Sequence, residues 1–134
     1  YQYKIIPKSA TKKWSKDLNI FYKKYYKNNY STVFENTTLI GICLNDKKII
    51  GAIRVISDLK RFALLVDLRV DAKYQNQGIA TTLMRDMLKK LVSMEINHIN
   101  LVVVQNSKWL NKFYKKLGFL NVTDSTLLQY KGNN

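Results

Sequence analysis

The sequence predicts an α/β domain with a mixed sheet flanked by helices, and three observations carry that prediction. Short β-branched, apolar runs alternate with segments whose apolar residues recur every three or four positions. Two of the runs flank a turn, Asn45-Asp46-Lys47, as a hairpin requires. The later runs alternate with helical segments, giving the order β-α-(α)-β-β-β-α-β-α-β.

Residues 1–6 read as an opening strand closed by Pro7. Ala10, Trp14, Leu18, Phe21, Tyr22 and Tyr25 then keep helical spacing, as one helix or two short ones, with Asn28-Asn29 as the stop and 30–36 as a loop. The hairpin runs from Thr38 to Leu44 and from Lys48 to Ile56, and Ser57 to Lys60 turns the chain again. Residues 61–70 form a third strand. Strict alternation points Leu64, Val66, Leu68 and Val70 one way and Leu65, Asp67 and Arg69 the other. Its nearly continuous apolar character predicts a central strand covered on both faces. The polar stretch 71–77 leads into the clearest helical stripe, Ile79, Ala80, Leu83, Met84, Met87, Leu88 and Leu91. Ile99 to Val104 is a further strand, and Asn106 to Leu117 a helix stopped by Gly118. From Phe119 a last strand or strand pair is expected, with Leu127, Leu128 and Tyr130 in the core.

At 134 residues, with 46% hydrophobic content, the chain is expected to form one domain, 1–134, without linker or repeat. The single cysteine, Cys43, excludes an internal disulfide, and with a single histidine, His98, no metal site is expected. No apolar run approaches the roughly 18–20 residues of a membrane helix. No secretory signal is visible in the first residues, and a cytoplasmic, reducing location is the expectation.

The net charge is +14, from 23 basic and 9 acidic residues. Half of it lies in residues 1–27, where eight lysines face one acid, Asp17, and Lys108, Lys112, Lys115 and Lys116 form a second group at helical spacing. Such a surface steers anions toward the protein. Nucleic-acid binding must therefore be considered, but only four of the basic residues are arginines, which weakens specific base reading by the bidentate guanidinium fork.

The informative segment is Val70 to Ala80. A strand ends, a polar loop follows, and Gly78 stands where the long helix begins. The first N–H groups of a helix lack internal partners and carry the positive end of its dipole. A glycine there lets a phosphate approach the backbone, with Ala80 keeping the next turn open and Lys73 adding a point charge. The segment lacks the glycine-rich run of a P-loop and the three glycines of a dinucleotide fingerprint.

Gln75-Asn76-Gln77-Gly78-Ile79-Ala80 resembles the acetyl-coenzyme A loop, Gln/Arg-x-x-Gly-x-Gly/Ala, of the GCN5-related N-acetyltransferase (GNAT) superfamily. A second match follows in order, the strand at 99–104, the helix from Asn106 and then Phe113-Tyr114-Lys115-Lys116-Leu117-Gly118-Phe119. The resemblance implies a GNAT-like sheet with a splay between two central parallel strands, here 64–70 and 99–104. It implies acetyl-coenzyme A as cosubstrate, its pyrophosphate on main-chain N–H groups of Gln75, Asn76, Gln77, Gly78, Ile79 and Ala80, and its pantetheine arm beside Leu68 and Val70. A strand bulge near Leu68 would aim a main-chain N–H at the acetyl carbonyl. Asn106 resembles the asparagine that contacts the cofactor arm, although eight residues separate it from Tyr114 where many members have seven.

The resemblance also places Tyr114 as the acid for the leaving thiolate and an acid near Asp67 as the base for the attacking amine. The residues themselves leave alternatives open. Asp67 serves equally as the partner of Arg69 or of another strand's arginine, and Tyr114 as an aromatic packed beside Phe113 and Phe119. The implied function is transfer of an acetyl group to a primary amine, in a small molecule or a peptide, within a ternary complex. A non-catalytic acyl-coenzyme A-binding domain is the alternative. A homodimer is common in families of this kind.

Overall fold

The structure is a computed structural model that describes residues 1–27, 31–103 and 107–132. These fall into two compact units, Tyr1–Val102 and Val103–Asn134. The first holds a five-stranded sheet in the order β1 (Gln2–Pro7), β2 (Leu39–Asn45), β3 (Lys48–Ser57), β4 (Phe62–Val70) and β5 (His98–Asn100). Neighbours are antiparallel except β4 and β5, which are parallel. Helices α1 (Thr11–Tyr22), α2 (Ser31–Glu35) and α3 (Ile79–Ser93) complete this unit, and α4 (Lys108–Lys116) belongs to the second.

Alternation along β2 and β3 divides the core between the two faces of the sheet. Ile40, Ile42, Leu44 and Ala52 join Leu18, Phe21 and Tyr22 of α1 and Phe34 of α2. The intervening Gly41 and Gly51 receive α3. A Cβ on Gly51 would lie 3.0 Å from Ile79 and 3.2 Å from Leu83, so the missing side chain sets how closely α3 approaches. Ile79, Leu83, Met84, Met87 and Leu91 are the buried positions of the α3 stripe. Among the described residues, no helix is long and apolar enough to cross a membrane, and no group of three His, Cys, Asp or Glu is arranged to hold a metal.

The turns follow local chemistry. Asp46 takes φ 55° between β2 and β3, in the left-handed region that Asp tolerates better than most residues. Before β4, the Asp58 carboxylate accepts the N–H groups of Lys60, Arg61 and Phe62 at 2.9–3.0 Å. Those donors lower its pKa to about 2.

Several expectations need correction. Residues 31–35 are helical rather than loop. Phe34 is fully buried against Tyr22, and such packing stabilises a helix too short to persist alone. Helix α1 ends at Tyr22, and Asn28-Asn29 lie outside the described residues. In β4 only Ala63 and Leu65 are buried, so the strand is not covered on both faces. Its alternation also breaks, because Val66 opposes Arg54 whereas Val70 opposes Gly51, three positions away on β3 and therefore on the other face. The strand expected at 99–104 is paired only through Asn100, and 104–106 lie outside the described residues. From 119 to 132 no strand forms among the described residues. Without a ladder to bury them, Leu127, Leu128 and Tyr130 are largely exposed.

Candidate functional site

Val70 ends β4, and the Asp71 N–H continues to the Ile50 carbonyl at 2.8 Å. A short 3₁₀ turn, Ala72–Tyr74, reverses the chain before the exposed residues 75–78. Gln75 Nε2 donates back to the Val70 carbonyl at 3.2 Å, and Gln77 Oε1 accepts from the Tyr1 hydroxyl at 2.5 Å. Asn76 and Gly78 both take positive φ, 63° and 80°. Gly78 is the residue preceding α3, and a glycine provides no side chain to cap the helix. The first helical bond runs from Thr82 N–H to the Gly78 carbonyl at 3.0 Å. The N–H groups of Ile79, Ala80 and Thr81 therefore precede the helical ladder, at the positive end of α3. A Cβ on Gly78 would meet nothing within 4 Å, so the space above these donors is open. Donors, dipole and open approach together fit an anionic group such as a pyrophosphate.

Upstream, β4 carries a bulge. Arg69 opposes Ala52 and Val66 opposes Arg54, so Asp67 and Leu68 together face Ile53. Asp67 has φ 56°. It is held there from several sides: its carbonyl accepts the Tyr22 hydroxyl at 2.8 Å, Oδ1 accepts the Tyr26 hydroxyl at 2.9 Å, and Oδ2 pairs with Arg54. Arg54 is buried and also donates Nε to Thr37 Oγ1 at 3.1 Å. Burial raises the Tyr26 pKa, keeping its hydroxyl a donor. Both oxygens of Asp67 thus have partners, and its ion-pair partner is an arginine of another strand. Leu68 lies at the bulge. The pairing of β4 with β5 stops at Leu64 and Asn100, where β5 ends, while β4 runs on to Val70.

A family model described as "Acetyltransferase (GNAT) family" matches residues 4–119. The chain belongs to this family. Over 74 residues it is 34% identical to "GCN5-related N-acetyltransferase 2, chloroplastic" of Arabidopsis thaliana, covering 55% of this chain and 28% of that protein. Over 73 residues it is 33% identical to "Histone acetyltransferase TAP1" of Glycine max, covering 54% and 30%. The match thus spans less than a third of either relative. Among solved structures, a GNAT family acetyltransferase from Streptococcus pneumoniae superposes with a TM-score of 0.79 at 20% identity, covering 99% of this chain and all of that one. An aminoglycoside acetyltransferase from an uncultured soil sample, in complex with sisomicin, gives 0.74 at 16% identity over 98% and 96%. At these identities the structural likenesses establish the GNAT fold alone.

In the second unit of this GNAT chain, the motif around Tyr114 has a local structural meaning. Gly118 takes φ 100°, its N–H bonds to the Lys115 carbonyl at 3.0 Å, and the Phe119 N–H bonds to the Tyr114 carbonyl at 3.1 Å. This Schellman arrangement ends α4, and the Tyr114 and Phe119 rings meet edge-on at 6.0 Å. Tyr114 is therefore packed between Phe113 and Phe119. Asn106 lies outside the described residues. The residues that sequence reasoning missed are Arg54, Tyr22, Tyr26 and Thr37, which clamp the bulge. One signal was available: Arg54 interrupts an apolar strand, as a buried cation awaiting an acid does.

Proposed function

We propose that this chain transfers an acetyl group from acetyl-coenzyme A to a primary amine. The observation that carries the reading is the open, uncapped start of α3 at Gly78, within a sequence that matches the GNAT family over residues 4–119. The main-chain N–H groups from Asn76 to Ala80 would hold the pyrophosphate, that of Gln75 being bonded to the Ala72 carbonyl. The half-buried edge of β4 around Leu68 and Val70, beyond its pairing with β5, would receive the pantetheine amides. When bound, the coenzyme supplies an activated acetyl thioester.

The amine attacks the acetyl carbonyl, so a C–N bond forms, the C–S bond breaks, the amine loses a proton and the thiolate gains one. An aliphatic amine of pKa about 10 is almost wholly protonated at neutral pH, so a proton acceptor is required. Because both Asp67 oxygens are engaged, we assign Asp67 to holding the bulge and its oxyanion-facing N–H, with water relaying the amine proton. Tyr114 is the proposed acid for the thiolate on the strength of its motif.

Thermal stabilisation by acetyl-coenzyme A, followed by thiol release across an amine library, tests the reading. Tyr114→Phe retains the ring that packs on Phe119. It should lower kcat by about 100-fold while sparing coenzyme binding. An unchanged kcat rejects Tyr114 as the acid.

A further inference from the structure

Arg69 stands apart from the other cations around the bulge. Arg54 is paired with Asp67 and Lys24 with Asp71, whereas no carboxylate of the described residues lies within salt-bridge distance of Arg69. It is nevertheless held in place. Its guanidinium lies over the rings of Tyr25 and Tyr26, at 5.4 and 5.3 Å, and Nε donates to the Tyr26 hydroxyl at 3.3 Å. The residue is exposed, and the strand register sets it on the same face as Arg54, the face that α1 covers. A guanidinium fixed by two aromatic faces and its Nε is preorganised for an anion, because its planar fork matches a carboxylate and little further ordering is needed.

From these observations we infer that Arg69 recognises a carboxylate on the acceptor, so the acetylated molecule is an amine that also carries a carboxylate. The inference rests on the acetyl-transfer reading. Arg69 follows the bulge by one residue past Leu68, roughly 3–7 Å along the strand from the amide assigned to the acetyl carbonyl. That spacing suits an amine and a carboxylate on one small molecule or one peptide end. The net charge of +14 draws the same class of ligand toward the protein.

The test begins with acetyl-coenzyme A alone, by thermal shift and titration on the wild type, Arg69→Gln and Arg69→Lys. Thiol release is then followed with L-amino acids, β-alanine, γ-aminobutyrate and acidic tripeptides, each beside its carboxamide. Wild type should prefer the carboxylate member of a productive pair by about 10- to 100-fold in kcat/KM. Arg69→Gln should raise KM for that member by a similar factor and leave the carboxamide and the coenzyme affinity unchanged. Arg69→Lys should restore part of the preference. Equal use of both members, equal loss on both in Arg69→Gln, or a loss explained by weaker coenzyme binding overturns the inference. So does silence of every carboxylate-bearing amine while the coenzyme stabilises the protein. Failure of acetyl-coenzyme A to bind the wild type overturns the acetyl-transfer reading, and this inference with it.

Discussion

Asp67 and Gly78 both sit in the left-handed region, eleven residues apart on either side of the β4–α3 turn, and the chain maintains them by opposite means. At Asp67 the unfavourable φ is imposed on a side chain and fixed by Tyr22, Tyr26 and Arg54. At Gly78 the side chain is absent, the surrounding space is open, and no network is needed. The first region is determined by tertiary packing, and its polar groups are satisfied. The second is determined by one residue type and leaves its donors available. The proposed acetyl transfer uses both: a fixed amide where charge would develop and an open one where an anion would dock.

Substitutions with opposite signatures sharpen this contrast. The largest effect is expected for Asp67→Asn, which keeps a residue tolerant of positive φ but leaves Arg54 buried without its counter-charge. Denaturant unfolding should show a loss of about 3 kcal/mol. A loss within experimental error would mean that the Arg54 pair does not hold the bulge. Gly78→Ala should behave differently. Its φ of 80° strains any Cβ by about 1 kcal/mol, yet the methyl group stands over the docking space and should weaken acetyl-coenzyme A by about 10-fold. Equal coenzyme affinity in the two proteins would remove the distinction between the regions. The smallest effect concerns the ends of the helices. α3 closes in the same Schellman pattern as α4, but with Glu95 at φ 63° where α4 has Gly118. Glu95→Gly should stabilise the protein by about 0.5–1 kcal/mol in the same unfolding assay, since glycine removes the left-handed strain.

The contrast also explains what the sequence conveyed. The 75–80 loop was legible because its chemistry is local: a strand end, a glycine and an apolar stripe lie within a few residues of one another. The α3 stripe and the hairpin around Asp46 were legible for the same reason. The clamp on Asp67 was not, because Tyr22, Tyr26 and Arg54 come from distant segments and meet only through sheet register. The bulge inverts the alternation expected of β4, so Val66 and Val70 fall on opposite faces of the sheet. Phe34 hid α2, since a five-residue helix carries too little periodicity to announce itself. The expected terminal strand rested on apolar residues alone, and Leu127, Leu128 and Tyr130 find no ladder to join.

The proposed coenzyme site depends most on the main-chain donors that open α3. Amide-resolved NMR during titration with coenzyme A, carried to about 1 mM, addresses them directly. The largest shifts should fall on Gly78, Ile79, Ala80 and Thr81, and should be lost in Gly78→Ala. Shifts confined to other segments, or none at all, would contradict it.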